Sequence, residues 1–163
     1  MNAYPLVYDC REVVVGETFA VSVAITGRAL LEPDGDEWIV TGVDPGGFAG
    51  CGDTPQEAYA DFRLGLKSVL FDCAAAHPRK FDSFCSTVRS FGNTKTAATA
   101  ARWEVARGEM RRAAQINEPF AASLPRRTNR ILSSVNITRL DPPSKELAKK
   151  ANVMANDNLA AAA

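Results

Sequence analysis

The sequence has little of what catalysis and metal binding ordinarily use. It contains one histidine, His77, and four cysteines without a Cys-x-x-Cys pair. A structural zinc site needs about four ligands. A long predicted helix separates Cys51 from His77, so these two residues are too far apart to form a nucleophilic pair. No Gly-rich phosphate loop is found either. We therefore expect a protein that is not an enzyme and that uses no metal and no cofactor.

Long hydrophobic runs are also lacking. A membrane helix needs about 20 consecutive apolar residues, and the longest run here is only a few residues. The first ten residues carry neither the basic region nor the apolar segment of a secretory signal. We expect a cytoplasmic protein without a membrane segment, with its cysteines reduced.

What is present is the composition of an ordinary globular protein, with 46% hydrophobic and 23% charged residues in 163. The net charge is zero, but it is unevenly divided. Residues 1–72 hold 4 Lys/Arg and 12 Asp/Glu, whereas residues 73–163 hold 15 and 7. The two halves either pair with each other or meet different partners, in which case the basic half is the candidate for nucleic acid. The alternative is that they are two solvated faces of one fold.

The acidic half shows strand patterns. Apolar residues alternate over 18–26, and the strand continues to Glu32. Turn residues at 33–36 join it as a hairpin to a second strand, 38–43. A short third strand follows at 48–51. The pattern predicts a three-stranded antiparallel meander.

The start of a helix is the strongest local signal. Thr54 is a capping residue, Pro55 takes the first helical position, and Glu57 completes a capping box. Apolar residues then recur every three or four positions from Ala58 to Cys73. This helix needs a sheet to cover, so the predicted fold is α+β, with one helix over the meander in residues 12–76.

The same segment resembles a known family. Its motifs are Leu-Glu-Pro-Asp-Gly-Asp-Glu-Trp-Ile-Val at 31–40, Pro-Gly at 45–46 and Gly-Asp-Thr-Pro-Gln-Glu-Ala at 52–58. Together they resemble the HicB antitoxin pattern over about residues 20–70. The resemblance implies a partial RNase H-like β-β-β-α fold with a fourth edge strand after the helix and without catalytic carboxylates. It also implies a module that neutralises a small RNA-cleaving toxin and often represses its own operon.

The rest of the chain departs from that pattern. Helical spacing, rather than the expected strand, follows Asp72 and predicts a second helix at 79–91 and a third at 94–115. We divide the chain into a HicB-like domain at 1–76, a helical extension at 77–118, and a segment at 119–163. This last segment comprises a basic linker, a strand at 131–140, a short helix and a flexible Ala-rich tail.

The strand at 131–140 has two interpretations. With the helix after it, it resembles the first elements of a ribbon-helix-helix operator-binding unit, whose polar strand residues read base edges. Alternatively, it is an edge strand added to the sheet or to a partner chain.

The functional expectation is an antitoxin-like, homo-oligomeric binding protein. Its expected partners are a small basic toxin and operator DNA, with no membrane. The alternatives are a DNA-binding transcriptional regulator without a toxin, and a structural or assembly subunit using a HicB-like domain. The candidate partner-binding residues are Glu32, Asp34, Asp36, Glu37 and Trp38. The candidate nucleic-acid-binding residues are Arg126, Arg127, Arg130, Asn136 and Thr138.

Overall fold

The computed structural model describes residues 3–116 and 133–140. The strands are β1 (Tyr4–Val15), β2 (Ala20–Asp34), β3 (Glu37–Asp44), β4 (Gly46–Gly52) and β5 (Ser134–Leu140). The helices are α1 (Pro55–Ala76), α2 (Phe81–Gly92) and α3 (Ala97–Ile116). The predicted α+β class is confirmed.

The strands form one antiparallel sheet around β2. On one edge, β2 pairs with β1 from Ala20 to Leu31. On its other edge, the first half of β2 pairs with β5 and the second half pairs with β3. β4 then lies outside β3. The sheet is therefore ordered β1-β2-β5 at one end and β1-β2-β3-β4 at the other.

β1 was not predicted, and its side chains explain why. Tyr8, Cys10 and Val14 face the core, but Glu12 lies on the same side of the strand. On the opposite side, Val13 is 51% exposed. The contrast between an apolar and a polar side is therefore weak, and period-2 alternation does not identify the strand. The predicted three-stranded meander corresponds to β2, β3 and β4.

The main core lies between the sheet and helices α1 and α2. Alternate residues of β2, among them Val23 and Ile25, face these helices and are fully buried. Phe62 of α1 and Phe84 of α2 belong to the same cluster. The opposite face of the sheet is covered in part by α3, through a smaller cluster that includes Leu30 and Trp103.

The predicted start of α1 is confirmed. The Thr54 hydroxyl accepts a hydrogen bond from the Glu57 backbone N–H (3.2 Å), and the Glu57 carboxylate accepts one from the Thr54 N–H (3.1 Å). The helix ends before Pro78, with His77 as its C-cap. The His77 ring lies 3.1 Å from the Thr87 hydroxyl, which ties the end of α1 to α2.

The later elements confirm part of the prediction and correct another part. The second and third helices are present, and the strand at 131–140 is β5, which adds to the sheet of its own chain. The edge strand implied directly after the first helix is absent from the described region, because α2 follows α1 there. The basic linker, the final short helix and the Ala-rich tail lie outside the described residues.

The four cysteines are free thiols. Cys10, Cys73 and Cys85 are buried, and burial raises the pKa of each. Cys51 is exposed on β4. Within residues 3–116 and 133–140, none of the helices combines the length and the apolar composition that a membrane-spanning segment requires.

We expect Thr54→Ala to lower the free energy of unfolding by about 1 kcal/mol, because it leaves a helix N–H without its acceptor. Urea denaturation measures this change. Ser68→Ala, at an exposed position within the same helix, is the matched control and should leave stability unchanged or slightly raised. Equal stability of the two variants would show that the capping box does not hold α1.

Candidate functional site

The turn between β2 and β3 presents carboxylates to solvent. Gly35, with φ at 64°, permits the tight turn. Asp34 pairs in register with Glu37, and Asp36 lies between them. All three acidic residues are exposed. This turn, which we call the acidic turn (Asp34, Asp36 and Glu37), is a compact negative surface at one end of the sheet.

Glu32, the fourth predicted acidic residue, has a different environment. Its side chain is only 20% exposed and forms an ion pair with Arg102 of α3. The pair lies in a groove of about 520 Å³ between α3 and the end of β2. Since its charge already has a partner within the fold, Glu32 contributes less than the acidic turn to attraction of another molecule.

An aromatic pair lies beside the acidic turn. Trp38, the second residue of β3, follows Asp36 by two positions, and its ring centroid is 6.1 Å from that of Tyr4 on β1. Both side chains are only partly buried. Tryptophan and tyrosine are enriched among the residues that dominate binding energy at protein interfaces.

A shallow apolar groove of about 220 Å³ opens on the face of the sheet that carries α1 and the Tyr4–Trp38 pair. It lies between β1 and the first turns of α1. The residues that line it are Leu6, Val7, Leu31, Pro55, Gln56 and Tyr59. Sequence reasoning did not find this groove, because one of its walls belongs to β1.

A buried ion pair was also missed. Asp44, at the end of β3, accepts hydrogen bonds from Nε and Nη2 of Arg28 at 2.9 and 2.8 Å. The Asp44 side chain is 4% exposed and that of Arg28 is 19% exposed. Hydrogen bonding to Asp44 raises the pKa of the Arg28 guanidinium, so this residue stays charged.

The same guanidinium holds α3 against the sheet. It lies 4.8 Å from the ring centroid of Trp103, and Nη1 is 3.3 Å from Glu104. The indole N–H of Trp103 donates to the Leu6 carbonyl (3.1 Å). These contacts satisfy the charges of Arg28 and Asp44 within the fold, so we interpret this cluster as structural.

The predicted nucleic-acid residues are only partly described. Asn136 and Thr138 lie on β5, exposed, on the side opposite to Val135 and Ile137. Arg126, Arg127 and Arg130 lie outside the described residues. Because β5 and the acidic turn adjoin opposite halves of β2, the two predicted sites are not brought together.

No group of three or more His, Cys, Asp or Glu side chains suited to hold a metal ion occurs within residues 3–116 and 133–140.

We expect Asp44→Ala to lower the free energy of unfolding by about 3 kcal/mol, because it leaves the largely buried Arg28 charge with only the more exposed Glu104 as an ion-pair partner among the described residues. Asp36→Ala, which removes an exposed carboxylate, is the control and should change stability by less than about 0.5 kcal/mol. Urea denaturation compares the two variants. A similar small loss in both would contradict the structural role of the ion pair.

No protein-family model matches the chain, and neither a curated protein nor a solved structure was found to be similar to it. The resemblance to HicB antitoxins therefore stays a prediction, supported by the motifs within residues 20–70.

Proposed function

We propose that the chain is an antitoxin-like binding protein, which neutralises a small basic toxin by direct contact and without catalysis. The observation that carries this proposal is the acidic turn: three exposed carboxylates beside the partly exposed Tyr4–Trp38 pair. The motif at 31–40 that resembles the HicB pattern contains this turn.

The chemistry of the expected partner fits such a surface. A toxin that cleaves mRNA must attract phosphate groups, so its working surface is basic. Carboxylates held at the end of a hairpin can occupy that surface in place of RNA. Binding there would neutralise the toxin by blocking access of its substrate.

The charged and aromatic parts of the surface have separate roles in this proposal. Exposed charges at the rim of an interface mainly accelerate encounter and make the association rate sensitive to salt. Aromatic side chains that lose water on binding supply most of the affinity and slow dissociation. We assign the first role to the acidic turn and the second to Trp38.

Operator binding, with autorepression of the operon, is the second candidate function. Its support is the exposure of Asn136 and Thr138 on one side of β5. Amide and hydroxyl side chains are among those that hydrogen-bond base edges in the major groove. A mobility-shift titration with the chain's own promoter region tests it: a shift that Asn136→Ala weakens supports operator binding, and no shift in low salt contradicts it.

The toxin proposal predicts a small basic open reading frame adjacent to this one, and its product is the partner for the test. We expect the two proteins to copurify after coexpression. Asp34→Asn combined with Asp36→Asn should slow their association about tenfold at low salt, and much less at high salt, because the steering charge is lost. Surface plasmon resonance with one partner immobilised measures the association rate at low and at high salt.

The matched control is Asp72→Asn combined with Asp82→Asn. It removes the same charge from exposed positions on α1 and α2, away from the turn. We expect this variant to associate nearly as fast as the wild type. Equal rates for both double variants would refute the role of the acidic turn, and failure of the wild-type pair to copurify would refute the partner itself.

A further inference from the structure

β1 has a long edge that no described strand covers. It spans Tyr4–Val15, and within the described part of the chain it pairs only with β2. The Gly16 N–H donates to the Phe19 carbonyl (2.8 Å) and closes the β1–β2 hairpin. Backbone groups alternate in direction along a strand. The even-numbered residues of β1 therefore direct their backbone groups toward β2, and the odd-numbered residues direct theirs to the open edge.

Two further observations agree with this assignment. Pro5, which has no N–H to donate, is odd-numbered, and proline suits a position that faces away from the neighbouring strand. Arg63 of α1 donates to the Asp9 carbonyl (3.0 Å) from outside the β1–β2 ladder. A carbonyl oxygen has two lone pairs, so Asp9 can still accept a bond from another strand.

The side chains along this edge are complementary to themselves. Those of Val7, Asp9, Arg11 and Val13 share the face of the sheet that carries α3, and all four residues are exposed. Val7 is 44% and Val13 51% exposed. When a second copy of this strand runs in the opposite direction, the order valine, acid, base, valine can place each acid opposite a base and each valine opposite a valine.

One register uses this complementarity. In an antiparallel pair, edge-facing residues must lie opposite edge-facing residues. Pairing centred on Cys10 places Asp9 opposite Arg11 and Val7 opposite Val13, each twice by symmetry. A shift of two positions in one direction places Asp9 opposite Asp9, and in the other direction Arg11 opposite Arg11. Like charges directly opposite are destabilising, so both shifted registers are disfavoured.

We propose that β1 pairs antiparallel with β1 of a second copy of this chain, about a two-fold axis at Cys10, to form one continuous sheet. The pairing with the second copy begins at Pro5. The last pair between β1 and β2 at this end is Tyr4–Leu31, so the acidic turn, which follows Leu31 in the chain, lies beyond the end of β1. The dimer therefore leaves the acidic turn exposed, and the proposal does not depend on the toxin.

The test is the molar mass of the full chain in solution by sedimentation equilibrium. We expect a dimer for the wild type. Asp9→Arg alone and Arg11→Asp alone each place like charges opposite one another twice, so each should weaken the dimer at least about tenfold. In an equimolar mixture of the two variants, opposite charges again face each other at both positions, and we expect a heterodimer.

Controls separate this effect from misfolding and from general charge. Circular dichroism checks that each variant is folded; within the described residues Arg11 has no ion-pair partner that its replacement would lose. Asp36→Arg, on the acidic turn, should leave the dimer intact. A monomeric wild type at high micromolar concentration, full dimerisation of both single variants, or failure of the mixture to associate would each overturn the proposal.

Discussion

The backbone pairing of β2 is the constraint on which the rest of the structure depends. This strand has β1 along one edge, and β5 and then β3 along the other. Because side chains alternate along a strand, its register decides that Val23 and Ile25 face α1 and α2 while Leu30 faces α3. A slip of one residue would turn each of them to the wrong face. The positions of the helices follow from this register.

Helix α1 forms hydrogen bonds to both outer strands of the sheet, β1 and β4, from neighbouring positions. Asp61 accepts a hydrogen bond from the Cys51 N–H on β4 (3.0 Å), and Arg63 donates to the Asp9 carbonyl on β1. Two residues span about 200° around a helix, so the two side chains point to opposite sides. Phe62, between them, points into the core and is fully buried. Three consecutive residues of α1 thus contact the core and both outer strands, β1 and β4.

Local signals explain which parts could be predicted from sequence. The capping box at Thr54 and the turn around Gly35 depend on neighbouring residues only, and the structure has both. The Arg28–Asp44 pair depends on a bulge. Extending the hairpin register would place Arg28 opposite Val43, and the irregularity between Arg28 and Ala29 places it opposite Asp44 instead. The ion pair of Glu32 joins residues 70 positions apart, and no local pattern encodes such a contact.

Pairing of β2 along both edges is tested most directly by residue-resolved amide hydrogen exchange. In the first half of β2, odd-numbered amides from Val21 to Ile25 face β1, and even-numbered amides from Ser22 to Thr26 face β5. We expect both sets to exchange slowly, because both are hydrogen-bonded within the sheet. Slow exchange of the odd-numbered set with rapid exchange of the even-numbered set would show that β5 does not pair there, and would contradict the sheet described above.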